Sequence, residues 1–179
     1  MLNKAPLHFF LNQPTRKVKK GEVLVRSGQP SKEAFYVLKG CLRSYLIDEK
    51  GKEHIYQFAP EDWIISDLEF YKNKGNAFLT IDAVEDSEIR STGMESFFDI
   101  SNQDLEFINE AFHKFQNRMY ALQKRVIQLL AYSAEQRYTE FLQTYPNLSK
   151  RVPQKMIASY LGLTPESLSR VRKELVKGR

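Results

Sequence analysis

Between Leu105 and Leu129 the apolar residues Leu105, Ile108, Phe112, Phe115, Met119, Leu122, Val126 and Leu129 recur at spacings of 3, 4, 3, 4, 3, 4 and 3. That is an unbroken heptad a/d series, which only a long helix can turn into one continuous stripe. No proline or glycine occurs from Met94 to Tyr145, so the spacing predicts a helix over residues 103–133. Additional apolar residues at Phe107, Ala111, Ala121, Ile127 and Leu130 widen the stripe, so the helix is expected to cover part of the chain's own core as well. Two readings of the stripe stand side by side: packing on the chain itself, or a two-helix seam with a second copy. A further helix over residues 135–144 is expected to end before Pro146.

Upstream of the heptads, from Arg16 to Gly93, the pattern changes to short strand-like runs. These are Val23–Val25, Ala34–Leu38, Leu42–Ile47, His54–Phe58 and Ala77–Val84, punctuated by Gly21, Gly28, Gly40, Gly51 and Gly75. Short strands with regular glycine turns predict an antiparallel barrel or sandwich.

Downstream, residues 152–179 read as two short helices joined by a tight turn. Met156, Ile157, Tyr160 and Leu161 follow Pro153 at helical spacing, and Gly162 marks a sharp turn. Thr164 suits an N-cap and Pro165 a first helical position, while Leu168, Val171 and Leu175 form an apolar stripe. Much of the remaining surface is Ser167, Ser169, Arg170, Arg172, Lys173 and Lys177. A helix-turn-helix sets such a second helix in the major groove of DNA, whereas an ordinary helical hairpin would merely carry a solvated basic face.

Charge supports the first of these. The 179-residue chain has a net charge of +5; residues 134–179 hold nine Lys/Arg against four Asp/Glu, and residues 1–133 hold eighteen of each. The whole excess lies in the C-terminal quarter with the candidate reading helix, as for the electrostatic footprint of a nucleic-acid site, although solubility alone also accounts for a charge of this size. Cys41 is the single cysteine, which excludes an intrachain disulfide framework and fits a reducing, cytoplasmic setting. The start of the chain is too broken for a signal-peptide core, and no run is long and apolar enough for a membrane span.

In this order, β-rich half, heptad helix and helix-turn-helix, the chain resembles the CRP/FNR family of transcription regulators, those related to the cyclic-AMP receptor protein. The resemblance runs from Val18 to Lys177 and rests on Lys20-Gly-Glu-Val-Leu24, Ala34-Phe-Tyr-Val-Leu-Lys-Gly40, Gly51-Lys-Glu53 and Ala158-Ser-Tyr-Leu-Gly-Leu-Thr-Pro-Glu-Ser-Leu-Ser-Arg170. It implies an α+β fold: an N-terminal antiparallel β-barrel, jelly-roll-like, of the cyclic-nucleotide-binding-domain type; a long dimerisation helix; and a C-terminal helix-turn-helix without a clear wing. The expected domains are 1–102, a β-roll effector-type domain; 103–133, the dimerisation helix; and 134–179, the DNA-binding domain.

Carried over by resemblance, Glu166 and Arg170 are the base-contact candidates, joined by Ser167. A carboxylate can accept from a cytosine amino group and a guanidinium can bridge guanine O6 and N7. Glu166 has a competing role, stabilising the first turn of its helix. Ser169, Arg172, Lys173 and Lys177 are the phosphate candidates, which position without specifying sequence. The implied partners are double-stranded DNA, a second copy of the chain and, for an activator, RNA polymerase.

The effector cassette departs from the family. Its Gly-Glu pair is replaced by Ser66-Asp67, its phosphate-binding Arg by Asn76-Ala77, and no Arg occurs from Ser44 to Ser87. Lys72 and Lys74 are poor substitutes for a planar bidentate fork. Cyclic AMP is therefore not the expected effector, and any other small-molecule effector is left unidentified. One cysteine cannot hold an iron–sulfur cluster, and His8, His54 and His113 lack metal-ligand spacing, so no cofactor or metal is expected. No convergent catalytic motif is present, so no enzyme activity is expected. The expected function is a homodimeric, sequence-specific DNA-binding transcription regulator; the alternative is a small-molecule sensor or protein-interaction module that has lost DNA affinity.

Overall fold

The chain crosses from one β-sheet to the other at every connection but one before it reaches the long helix. In the computed structural model, which describes residues 8–69, 75–95 and 105–177, the strands are β1 (Arg16–Val18), β2 (Val23–Val25), β3 (Glu33–Lys39), β4 (Leu42–Ile47), β5 (Glu53–Ala59), β6 (Ile64–Ser66), β7 (Thr80–Ala83) and β8 (Ser87–Gly93). They form two four-stranded antiparallel sheets, β1-β8-β3-β6 and β2-β7-β4-β5. Only β4 and β5 are consecutive neighbours, with Leu42 opposite Ala59 and Ile47 opposite Glu53.

This corrects the expected β-barrel. The edge strands β1, β6, β2 and β5 each have a single ladder partner, so the sheets stay open and do not close on one another. What joins them is a shared apolar core, Val18, Phe35, Val37, Ile65 and Ile89 from one sheet against Leu42, Ala59, Ile81 and Ala83 from the other. Side-chain packing between two faces needs no continuous hydrogen-bond ladder around the structure. Glycine turns signal that strands are short; they do not report whether the edges pair.

Gly40 makes the β3–β4 crossing possible. Its φ is 94°, and a Cβ there would lie 2.3 Å from Ser87 Oγ, so neither the conformation nor the space admits a side chain. On the far face of β3, Tyr36 meets Phe10 of the short helix α1 (His8–Leu11), ring centroids 5.6 Å apart, and Arg90 Nη1 donates to the Phe10 and Leu11 carbonyls.

The expected strand over 77–84 is shortened at its start. The N–H groups of Phe78 and Leu79 go to Asp67 Oδ2 (2.5 Å each), so the ladder begins only at Thr80.

Met1–Gln103 and Asp104–Arg179 are separate compact units. The second consists of α2 (Leu105–Ala131), α3 (Ala134–Thr144), α4 (Leu148–Arg151), α5 (Gln154–Leu161) and α6 (Pro165–Lys177). The 27 residues of α2 rise about 40 Å. Ser133 caps α3 in a capping box, its hydroxyl accepting the Gln136 N–H while the Gln136 side chain accepts the Ser133 N–H. Residues 103 and 104, the expected start of the long helix, lie outside the described residues, as do Lys72, Lys74 and Met1–Leu7.

Candidate nucleic-acid interface

Helix α6 has two chemically distinct faces. Leu168 and Val171 are buried and Leu175 is half-buried, so the apolar stripe is spent on packing against α3 and α5. Glu166, Ser169, Arg170 and Lys173 are all exposed, and their spacing of three and four residues puts them in one stripe on the opposite side. Arg172 and Ser167 flank that stripe and are half-buried. The side chain of Lys177 lies outside the described residues.

The start of α6 is held by its own residues. Thr164 Oγ1 accepts the Ser167 N–H at 3.2 Å, the N-cap bond anticipated from its position, and its hydroxyl donates to Ser167 Oγ at 3.1 Å. The Glu166 carboxyl is held below the usual carboxylate range, first by its own backbone N–H and then by the Thr164 hydroxyl. Glu166 and Ser167 are thus tied into the first turn, while Ser169, Arg170 and Lys173 project from the next.

The turn before α6 is set by Gly162, at φ 65°. Its N–H donates to Ser159 O and the Leu163 N–H to Ala158 O, closing the end of α5 in the left-handed manner glycine favours. At the other end Pro153 is the N-cap, one position before the first helical residue. Helix α5 buries Ile157, Ala158 and Leu161.

Two arginines brace this motif, and neither was marked by the sequence. Arg125 on α2 donates from Nη2 to the Tyr160 carbonyl at 2.8 Å and lies 3.7 Å above the Tyr160 ring. Arg137 on α3 donates from Nη1 to the Leu161 carbonyl at 2.7 Å. Behind them Phe141, Tyr145 and Tyr160 form a close aromatic cluster, with centroids 5.3–6.0 Å apart. Burial, then the neighbouring Tyr160, pushes the Tyr145 phenol well above its ordinary pKa. A charge on a helix surface carries no signal of the carbonyl it will meet, which is why spacing alone passed over both arginines.

Along α2, the heptad residues Leu105, Phe112, Phe115, Met119, Val126 and Leu129 are exposed within this chain, and Ile108 and Leu122 are half-buried. Phe112 and Phe115 each keep 57% of their surface in contact with solvent, more than a lone surface aromatic explains in a contiguous row. The side chains of Phe107 and Ala111 lie outside the described residues.

In the β-rich unit, Asp67, which with Ser66 stands where the family's cassette has its Gly-Glu pair, is only 7% exposed. Its Oδ2 accepts the Phe78 and Leu79 N–H groups and its Oδ1 accepts the Glu69 N–H at 2.9 Å. Consecutive backbone N–H groups converging on one point form an anion nest, and here a carboxylate of the chain itself occupies it. Among the described residues no group of three or more His, Cys, Asp or Glu side chains is placed to hold a metal ion, and no helix is long and apolar enough to cross a membrane.

Comparison with known proteins agrees with this architecture. The cyclic nucleotide-binding domain family matches residues 15–104. Electron transport regulator A of Shewanella oneidensis is 25% identical over 167 residues, covering 87% of this chain and 66% of that protein. The Fumarate and nitrate reduction regulatory protein of Escherichia coli is 26% identical over 188 residues, covering 95% and 72%. The chain therefore spans about two thirds of the length of these curated relatives. Among solved structures, FixK2 from Bradyrhizobium japonicum superposes with a TM-score of 0.79 at 19% identity, covering 93% of this chain and 85% of that one. A CooA mutant from Carboxydothermus hydrogenoformans superposes at 0.73 and 20% identity, covering 99% and 87%.

Proposed function

The chain belongs to the cyclic nucleotide-binding domain family, in the regulatory fold of the CRP/FNR type, and from that premise we propose that it is a homodimeric regulator of transcription that binds specific double-stranded DNA without cyclic AMP. Its relatives are regulators by name, and the chain belongs with them rather than with an enzyme family.

The observation that carries the reading is the stripe Glu166, Ser169, Arg170 and Lys173, exposed on the side of α6 opposite buried Leu168 and Val171. A helix entering the major groove needs a buried back and a polar, mainly cationic front. Arg170 is the principal base reader. Glu166 and Ser167 adjoin it from the first turn, and Ser169, Arg172, Lys173 and Lys177 meet phosphate. The domain plan 1–102, 103–133 and 134–179 assigns these roles to an effector-type domain, a dimerisation helix and a DNA-binding domain.

Dimerisation through Leu105, Ile108, Phe112, Phe115, Met119, Leu122, Val126 and Leu129 is supported by the heptad row, of which all but Ile108 and Leu122 are exposed, because a second copy of the same helix offers a matching seam. Two reading helices then address a pseudo-palindrome. Independence from cyclic AMP is supported by Asp67: the nest that would receive an anion already holds a carboxylate, and Asn76-Ala77 supplies no guanidinium nearby.

Selection from a randomised duplex pool near physiological salt, with no added ligand, tests this reading. The expected product is a pseudo-palindrome with half-sites about one helical turn (~10 bp) apart. Enrichment only when cyclic AMP is added overturns it, and so does failure to enrich any sequence with or without cyclic AMP. Binding without steep salt dependence would favour an interaction module, since counterion release accompanies phosphate contact.

A further inference from the structure

The last turns of α2, together with α3 and the end of α5, border a small cavity within the helical unit. Its volume is about 30 Å³, and Arg125, Arg137 and Glu140 bring charge to its wall. Arg137 donates from Nη1 to the Leu161 carbonyl, while its Nε, buried from solvent, meets no acceptor among the described residues. Arg125 is held by the Tyr160 carbonyl and by the face of the Tyr160 ring. Glu140 turns Oε2 to Lys124 Nζ at 2.6 Å and to Gln128 Nε2 at 3.3 Å, so its charge is answered from α2 and not by Arg137. Leu129, Phe141 and Leu161 supply an apolar stretch of the same wall.

We propose that this cavity is a binding site for a short-chain monocarboxylate of about the size of acetate, with the Arg137 guanidinium as the group that takes its charge. The site goes beyond the DNA-binding reading and does not depend on it.

A guanidinium N–H that is buried without an acceptor has lost its hydration with nothing in return, and an oxyanion reaching it restores a charge-assisted hydrogen bond. A carboxylate on Nε can take a second N–H from the adjoining nitrogen of the same planar fork, leaving Nη1 on the Leu161 carbonyl. Charge favours an anion, since two guanidinium groups line the cavity against one carboxylate that Lys124 already pairs. Size limits which anion. A water needs about 10–15 Å³, so the cavity has the room of about two or three waters, too little for a nucleotide or a sugar phosphate and enough for a carboxylate of one or two carbons. The apolar stretch then selects a carbon end. A second charged oxygen set against Leu129 and Phe141 would be desolvated without a partner, which disfavours sulfate and phosphate.

The test is a nitrogen-edited NMR titration of the full chain, read at two signals. One is the Arg137 Nε–H, identified by its loss in Arg137→Lys; the other is the Gly162 amide, whose peptide unit includes the Leu161 carbonyl that Arg137 holds. Sodium acetate, exchanged for sodium chloride at constant ionic strength, should move both saturably with a Kd on the order of 1 mM, the weakness expected of so few atoms. Sodium sulfate at the same ionic strength should bind at least about tenfold more weakly, for want of a partner for its second charge. Arg137→Lys keeps the positive charge but loses the Nε donor, and should weaken acetate about tenfold or more at the Gly162 amide. Thr144→Met, which crowds the cavity from its exposed rim, should do the same without lowering the melting temperature. No saturable movement with acetate overturns the site and leaves the cavity to water only. Equal affinity for sulfate overturns it as well, and so does unchanged acetate affinity in Arg137→Lys, since either would reduce the effect to general attraction of anions. None of these signals involves DNA, so a chain that prefers no duplex would sink the DNA reading and leave this site standing.

Discussion

Arg43 closes a two-point fork on Asp82, Nε to Oδ1 at 2.7 Å and Nη2 to Oδ2 at 2.9 Å, with both side chains more than nine-tenths buried. The two residues are cross-strand partners on β4 and β7. Glu53, on β5 and partly exposed, accepts a hydrogen bond from Nη1 at 2.5 Å, and the Tyr45 ring lies 4.1 Å from the guanidinium. Removing one member leaves the other charged and dry, so Arg43→Ala should cost about 3–5 kcal/mol in chemical denaturation. The paired replacement Arg43→Met with Asp82→Leu should cost much less. Equal losses for single and double variants would show that the fork itself, rather than an orphaned charge, stabilises the sheet.

Phe115→Glu should dissociate the proposed dimer. It places a carboxylate at the middle of the heptad row, where a seam would bury it unpaired, and should weaken self-association on the order of 100-fold or more. Asn117→Glu, exposed on the other side of α2, is the control and should leave the dimer intact. Sedimentation of both variants is decisive: a Phe115→Glu dimer would mean that the interface lies elsewhere.

Arg170 and Lys173 sit three positions apart on one face but should behave differently. Loss of Arg170 should cost about 1–3 kcal/mol at the selected sequence and relax preference at one base pair, with scrambled DNA bound as before. Lys173→Ala should weaken both duplexes alike and lower the salt slope by about 1. If Arg170→Ala instead lowered both affinities equally, its role would be phosphate contact.

Acid should destabilise the β-rich unit through paired surface carboxylates. The Asp86 pKa is lowered from its ordinary 3.8 by Lys19, then by the Lys20 N–H; that of Glu22 is lowered from 4.5 by the Lys19 N–H, then by Arg16. Folded pKa values below the unfolded ones mean that the folded state binds fewer protons in acid. The contribution is therefore present above the unfolded values and lost as pH falls through the folded ones. Melting temperature should decline once pH drops below about 4.5, and Asp86→Asn should flatten that decline. Superimposable acid limbs for the two proteins would remove Asp86 from the cause.

Much of the helical half was legible because its signals are local. The 3–4 heptad spacing, Thr164 as N-cap and Gly162 as turn act over four residues or fewer, and each appears in the structure where the spacing put it. Strands β2 and β4 are legible at their observed bounds for a similar reason, being apolar runs bounded by turns. Strand β8, Ser87–Gly93, was less visible because Ser87 and Thr92 are buried, small polar residues in positions a pattern reader assigns to solvent.

By itself, then, the sequence determined where helices begin, turn and expose charge, because caps, glycine conformation and apolar period are decided by neighbours along the chain. Only the tertiary structure decided that the two sheets stay open, that Asp67 fills the nest made by Phe78 and Leu79, and that Arg125 and Arg137 hold carbonyls 35 and 24 positions away. Those partners are selected by packing and by the need to satisfy buried polar groups, and neither leaves a periodic trace in the residues concerned.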